Sequence, residues 1–408
     1  MDRTIHWGVA LAGSALLAIV GLPAAASAAP AEAAANAAPA EAAVVTAPGA
    51  EVVPNSYIVV LKPSRAAVAG QVRALAGRHS ATVRMTWSHA LRGFAATMSA
   101  QQARRMAAES EVAYVQPDVI HRASETQANP PSYGLDRIDQ RNRPLNSAYT
   151  YSTTASNVHA YIIDTGIRTT HVDFGGRAVS GFDAIDGGPA DDCNGHGTHV
   201  AGTVGGTSYG VAKAVQLVAV RVLNCQGSGT TAQVVAGIDW VTANRVLPAV
   251  ANMSLGGGAD TALDNAVKNS IGAGVTYAIA AGNGFLGLFA LDACTQSPAR
   301  VPEAVTVSAV DSNDRKPSWA NRGTCVDVFA PGINITSAWG TGDTATNTIS
   351  GTSMATPHVT GAAALYLAGH PGATPAQVHA AIVSNATTGV VTNPGSGSPN
   401  RLLYTGAF

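Results

Sequence analysis

Three short motifs carry residues able to do acyl-transfer chemistry. Ser353 lies in Ile349-Ser350-Gly351-Thr352-Ser353-Met354-Ala355-Thr356-Pro357-His358, which runs into an apolar, Ala-rich stretch from Val359 to Ala368. A serine at the mouth of such a run sits at a helix N-terminus, where free amides and the dipole stabilise an oxyanion. This makes Ser353 a candidate nucleophile. Pro357 agrees with a helix start, because proline is tolerated in a first turn. Alone, the same stretch also reads as an N-cap serine opening an ordinary helix. Asp164 closes the apolar run Ala160-Tyr161-Ile162-Ile163 and is the candidate orienter of a base. In Asn194-Gly195-His196-Gly197-Thr198-His199 the small neighbours leave the His196 ring accessible as that base, and His199 reads as a hydrogen-bonded structural histidine. Cys193, His196 and His199 would also suit zinc, but no convincing fourth ligand lies nearby.

Placing these groups requires a sheet. From Val158 onward, apolar runs (158–163, 216–222, 249–254, 275–280, 304–310) alternate with helical patterns (230–244, 261–271, 352–368, 375–384). Continuous apolar strands between helices imply an α/β fold with a doubly wound, mostly parallel sheet. Its ligand crevice lies beyond the strands' carboxyl ends. Ahead of it, residues 56–62, 66–79, 81–87, 93–98, 100–109 and 112–116 read as βαββαβ, a small α+β ferredoxin-like unit.

The chain has 408 residues, 46% of them apolar, and a net charge of -1, which argues against disorder and against nucleic-acid binding. Residues 1–28 read as a signal peptide: Arg3, an apolar run from Trp7 to Leu22, and Ala26-Ser27-Ala28 as cleavage site. A secreted, extracellular protein without stable membrane association is expected. Residues 29–50, rich in Ala and Pro, read as a linker, 51–125 as a removable domain and 126–408 as the main domain. The polar, proline-bearing stretch from His121 to Pro131 reads as cleavable. Four cysteines, all after residue 190, suggest two disulfides, and sequence alone allows three pairings.

Each class of Ser-His-Asp enzyme has its own chain order, and Asp164, His196, Ser353 is the order of subtilisin-like proteases. Tyr133 to Leu403 resembles the proteinase K branch of that family, most nearly its aqualysin-type members. The resemblance rests on the motifs above and on Gly134-Leu135-Asp136-Arg137-Ile138-Asp139-Gln140-Arg141, Asn252-Met253-Ser254-Leu255-Gly256-Gly257-Gly258 and Ala280-Ala281-Gly282-Asn283. Residues 53–118 resemble the family's inhibitory propeptide.

The resemblance implies a self-processing zymogen of a serine endopeptidase, with polypeptide substrates, its own propeptide as inhibitor, and a monomeric state. It implies Asn283 as oxyanion donor, and Gly227-Ser228-Gly229 and Ser254-Leu255-Gly256 as edges that pair with substrate backbone. Ala280, Ala281 and Gly282 would wall a pocket open to large apolar side chains. It further implies disulfides Cys193–Cys225 and Cys294–Cys325, and Ca²⁺ on Pro302, Ala304 and Asp327, with a second ion on Asp136, Asp139 and Gln140. At the second place Asn146 and Ala148 depart from the family's Asp and Asn. The chain departs again at Thr231, where many relatives have Tyr, and at Gly284-Phe285-Leu286-Gly287-Leu288-Phe289-Ala290-Leu291, an apolar loop that either lids the pocket or packs on the disulfide loop beside it. An α/β-hydrolase esterase is excluded, because it needs Asp or Glu and then His after its serine, and no acid follows Ser353. The non-enzymatic alternative is a secreted binding module with a vestigial triad.

Overall fold

The computed structural model describes residues 40–45, 52–119, 124–285 and 287–408. The signal-peptide reading falls outside them. Two compact units emerge, one built on Asn55–Gln116 and one running from Pro117 to Phe408.

In the first unit the strands Thr82–Trp87, Gly93–Thr97, Val52–Leu61 and Val112–Val119 lie side by side in that order, with helices Val68–His79 and Ala100–Ala107. This is the arrangement expected of βαββαβ. Val59 and Leu61, and likewise Phe94 and Ala96, are two residues apart and so share one face of the sheet. There they meet Val72, Leu75, Ala103 and Met106 from the helices.

Residues 40–45, the described part of the stretch read as a linker, dock on this unit. The Ala42 N–H donates to the Arg104 carbonyl at 2.9 Å and the Val45 N–H to the Val115 carbonyl at 2.8 Å, while Val44 packs on the core. Glu41 pairs with Arg104 at 2.9 Å. Backbone pairing holds this segment, and composition does not encode that.

The second unit is organised on a nine-stranded sheet. Its order is Thr387–Thr388, Arg401–Leu402, Val328–Pro331, Val305–Val310, Val275–Ala280, Ala249–Met253, His159–Asp164, Gln216–Arg221, Ala178–Asp183. All neighbouring pairs are parallel except the first. After His159–Asp164 the chain fills one side, first the edge with Ala178–Asp183 and then the place between with Gln216–Arg221, and crosses to the other side with Ala249–Met253, so Asp164 ends a strand at the topological switch point. Ser254 and Ala281–Asn283 follow the ends of the next two strands. Helix Thr352–Gly369 is buried on nearly every side, with Met354, Val359, Ala362, Ala363 and Leu365 in the main core. That explains its lack of an amphipathic stripe.

Helix His196–Gly205 is absent from the sequence reading for the same reason. Its Gly, Thr and Ala residues are buried all round, so no polar face alternates with an apolar one.

Candidate active site

Asp164 is fully buried at its strand end. Its Oδ1 accepts the Thr165 N–H and the His196 Nδ1–H, both at 2.7 Å. The second bond fixes the imidazole tautomer and leaves the Nε2 lone pair free to take a proton. Burial alone would lower the basicity of His196, but the charges of Asp164 and Asp192 outweigh it and hold the imidazole pKa above its ordinary value. Gly197 lets the two loops meet: a Cβ there would lie 2.1 Å from the Gly166 carbonyl oxygen.

Asp192 was not among the sequence candidates, and the structure makes it the anchor of this corner. Oδ1 accepts the Thr165 hydroxyl and the N–H groups of Asn194 and Gly195 at 2.8–2.9 Å. Oδ2 accepts the Thr198 N–H at 2.9 Å and its hydroxyl at 2.6 Å. One carboxylate thus caps the amino end of the His196 helix and ties it to the residue after Asp164. An Asp two residues before Asn-Gly, ahead of a helix, is the available signal, since such residues satisfy the first free N–H groups.

Ser353 is the second residue of its helix. Pro357 therefore lies in the second turn, which corrects the first-turn reading. Lacking an N–H, it cannot bond the Ser353 carbonyl four residues back. The Ser254 hydroxyl donates to that carbonyl instead at 2.8 Å, and the Ser353 hydroxyl donates to the Ser254 carbonyl at 3.1 Å. The proline thus frees an acceptor that locks the serine turn to the end of strand Ala249–Met253.

Asn283 is oriented by the same helix start. Its Oδ1 accepts both the N–H and the hydroxyl of Thr352 at 2.9 Å, and that hydroxyl accepts the Gly282 N–H at 3.1 Å. With the carbonyl end committed, the amide must present its Nδ2–H₂ elsewhere, beside Ser353.

Two depressions meet at this point. A cleft of about 750 Å³ is lined by His196, Gly227, Ser228, Gly229, Ser254, Leu255 and Gly256, and also by Thr231. A pocket of about 200 Å³ is lined by Ala280, Ala281, Gly282, Asn283 and Ser353. They share Leu255, Gly256 and Gly257. Thr231 donates to Asp260 at 2.5 Å across the first.

Cys193 is joined to Cys225 and Cys294 to Cys325. The first bridge ties the His196 loop to the cleft edge, where the Asn194 side-chain amide donates to the Cys225 carbonyl at 2.9 Å. Closing a loop with a sequence separation of 32 stabilises by ~4 kcal/mol. With its sulfur in a disulfide, Cys193 is lost to zinc. His199 is buried, donates from Nε2 to the Ile335 carbonyl at 3.0 Å and has its pKa pushed down to about 4 by burial.

Among the described residues, no group of three or more His, Cys, Asp or Glu is arranged to hold a metal ion. The oxygens named for calcium differ in their state. Asp327 is engaged on both sides: Oδ2 accepts the Thr306 N–H at 2.8 Å, and Oδ1 lies 3.3 Å from His379 Nε2. Asp136 spends both oxygens on the N–H groups of Asn146 and Ser147, at 3.2 and 2.9 Å. Asp139 accepts the Thr150 N–H at 2.7 Å through Oδ2, while its Oδ1 is buried with no hydrogen-bond partner. Burial, helped by the charge of Asp136, pushes the Asp139 pKa up to about 6. Gln140 donates from Nε2 to the carbonyls of Asn142 and Pro144, at 2.8 and 3.0 Å.

The model of the Subtilase family matches residues 156–402, and that of Peptidase inhibitor I9 matches residues 56–124. The chain is 54% identical over 376 residues to an extracellular serine proteinase of Thermus sp., spanning 87% of this chain and 90% of that one. It is 51% identical over 337 residues to alkaline serine exoprotease A of Vibrio alginolyticus, spanning 81% of this chain and 61% of that relative. The crystal structure of a cold-adapted subtilisin-like serine proteinase superimposes with a TM-score of 0.64 at 54% identity, covering 67% of this chain and 97% of that one.

Proposed function

Because the chain belongs to the subtilase family of serine peptidases and carries an I9 inhibitor domain, we propose that it is a secreted, self-processing endopeptidase that prefers a large apolar residue before the scissile bond. The observation that carries this reading is the joined geometry of Asp164, His196, Ser353 and Asn283 where the two depressions meet.

The substrate backbone pairs with Gly227–Gly229 on one side and Ser254–Gly256 on the other, which gives affinity with little demand on side chains. The Ser353 hydroxyl turns from the Ser254 carbonyl to His196 Nε2, loses its proton there and attacks the scissile carbonyl. The developing oxyanion takes hydrogen bonds from Asn283 Nδ2 and the Ser353 N–H, each worth roughly 3 kcal/mol. Asp164 stabilises the imidazolium, which then protonates the leaving amine. Water repeats the sequence on the acyl-enzyme.

An irreversible fluorophosphonate tests this reading, because only an activated serine reacts. It is expected to label Ser353 and abolish peptide hydrolysis in proportion. An intact protein left unlabelled would favour the vestigial binding module.

The mature enzyme starts near Thr126, after a propeptide ending about residue 125, acts as a monomer, and works outside the cell like the extracellular relative of Thermus. Among the described residues no helix is long and apolar enough to cross a membrane.

Calcium belongs to the same proposal, in a structural role. The orphaned, buried Oδ1 of Asp139, within reach of the charge of Asp136, suits a hard cation that favours oxygen ligands. The set at Pro302, Ala304 and Asp327 fits less well, since an ion there must compete with His379 for Oδ1. A bound ion stabilises only the folded state, by about 2.7 kcal/mol at a hundredfold excess over Kd. For a domain of this size that is a Tm shift of about 5–10 °C. Chelation is expected to lower Tm by that amount in the wild type and by much less in Asp139→Ala. An unchanged Tm after verified metal removal would end the calcium reading.

A further inference from the structure

The apolar loop after Asn283 is a tight hairpin. The Phe285 N–H donates to the Phe289 carbonyl at 2.9 Å and the Leu288 N–H to the Phe285 carbonyl at 3.0 Å. Its base is fixed by bonds from the Ala290 N–H to the Ser318 carbonyl at 3.1 Å and from the Leu291 N–H to Asn321 Oδ1 at 2.8 Å. Gly284 closes it with φ +69, and a Cβ there would stand 2.2 Å from the Phe289 carbonyl oxygen. The base of the hairpin thus rests on residues within the Cys294–Cys325 loop, but its large side chains do not bury themselves there. Phe285, Leu288 and Phe289 are 61%, 58% and 71% exposed. Three large apolar side chains turned to water on one short turn form a patch rather than scattered surface residues, and such patches mark contact sites.

The position of the hairpin says what it contacts. Gly284 at its base and Asn321, which anchors it, both line the pocket that holds Asn283 and Ser353. That pocket, about 200 Å³, has room for one side chain, and its apolar lining is small: Ala280, Ala281 and Ala299, with Leu255 at the junction. A Phe or Leu side chain entering it finds little large apolar surface inside, while the hairpin that leaves the pocket lining at Gly284 carries such surface exposed.

We propose that Phe285, Leu288 and Phe289 form an apolar rim that receives the outer part of a large apolar side chain preceding the scissile bond, and so set the enzyme's discrimination at that position. The proposal rests on the endopeptidase reading. It names the structural element behind the preference, the apolar loop 284–291 at which this chain departs from the family pattern.

The test compares mature wild type with a Phe285→Ser/Leu288→Ser/Phe289→Ser variant and with Phe289→Ser alone. The substrates are peptide anilides of one sequence that differ only in the last residue, Phe, Leu or Ala. These positions are exposed, so the fold is retained, and an unchanged Tm checks it. The Phe-to-Ala ratio of kcat/KM is expected to fall about tenfold in the triple variant and by less in the single one. The Ala peptide, too short to reach the rim, keeps its kcat/KM within about twofold. An unchanged ratio overturns the proposal. So does an equal loss on all three peptides, a change confined to the residue after the scissile bond in internally quenched peptides, or a loss of self-association with the ratio intact. Failure of the wild type to cleave any of the peptides would instead sink the endopeptidase reading itself.

Discussion

Ser353→Ala is expected to lower peptide hydrolysis roughly 10⁴- to 10⁶-fold and to leave the precursor unprocessed. Removing the nucleophile removes the acyl-enzyme route, and what persists is the catalysis that Asn283 and substrate binding alone provide. The processing half of the prediction depends on the bond near Thr126 reaching the same serine. Here Glu125–Ala128 is a strand paired in register with Ala148–Tyr151, Thr126 opposite Thr150. Self-cleavage therefore requires that this pair be open in the precursor and close afterwards. The pair is held at its edges by the Tyr151 hydroxyl donating to Glu125 at 3.1 Å and by Lys213 donating to Gln127 at 2.6 Å. Expressed in a protease-free host, Ser353→Ala should migrate with residues up to about 125 still attached. N-terminal sequencing that found efficient cleavage would reject self-processing while leaving the catalytic role of Ser353 to be judged on hydrolysis alone.

What the sequence revealed and what it concealed divide along a physical line. Short apolar runs rich in Ile, Val and Tyr and set between helical patterns read as buried strands, so His159–Asp164 and Val275–Ala280 were legible, and with them the strand ends that carry Asp164 and Asn283. The reading failed where structure is set by local hydrogen bonds. Helix His196–Gly205 is capped by a carboxylate four residues before it, and no periodicity marks it. The part of Pro357 in the site emerges only once Ser254, a hundred residues away in sequence, is seen to take the freed carbonyl. Likewise Asn283 looks like a turn residue until Thr352 fixes which end of its amide faces the substrate. The strand pair at 125–128 and the docked segment 40–45 are backbone interactions between polar or small residues, which side-chain patterns do not record.

Asp164→Asn should cost about 10⁴-fold in kcat while leaving substrate binding nearly intact. In the wild type, Oδ1 accepts the His196 Nδ1–H, and that acceptance keeps Nε2 unprotonated toward the serine. An amide placed there can turn its NH₂ group to Nδ1, which moves the ring proton to Nε2 and removes the base. Oδ1 also accepts the Thr165 N–H, so turning the NH₂ group to Nδ1 costs that backbone donor its acceptor as well. A second consequence has a definite sign. His196 acts as a base only when neutral, so kcat/KM rises with pH through its pKa, which Asp164 and Asp192 hold above the ordinary 6.5. Loss of the Asp164 charge takes away the larger of those two supports while burial still disfavours the cation. The acid limb of the residual activity should therefore move to lower pH. Asp192 remains in both proteins, so the displacement isolates the contribution of Asp164. Pre-steady-state rates on variant processed in trans, normalised by active-site titration, would measure both effects. A loss under a hundredfold, or an acid limb that stays where the wild type has it, would mean that Asp164 neither fixes the tautomer nor sets the basicity of His196, and that the network around Asp192 does so in its place.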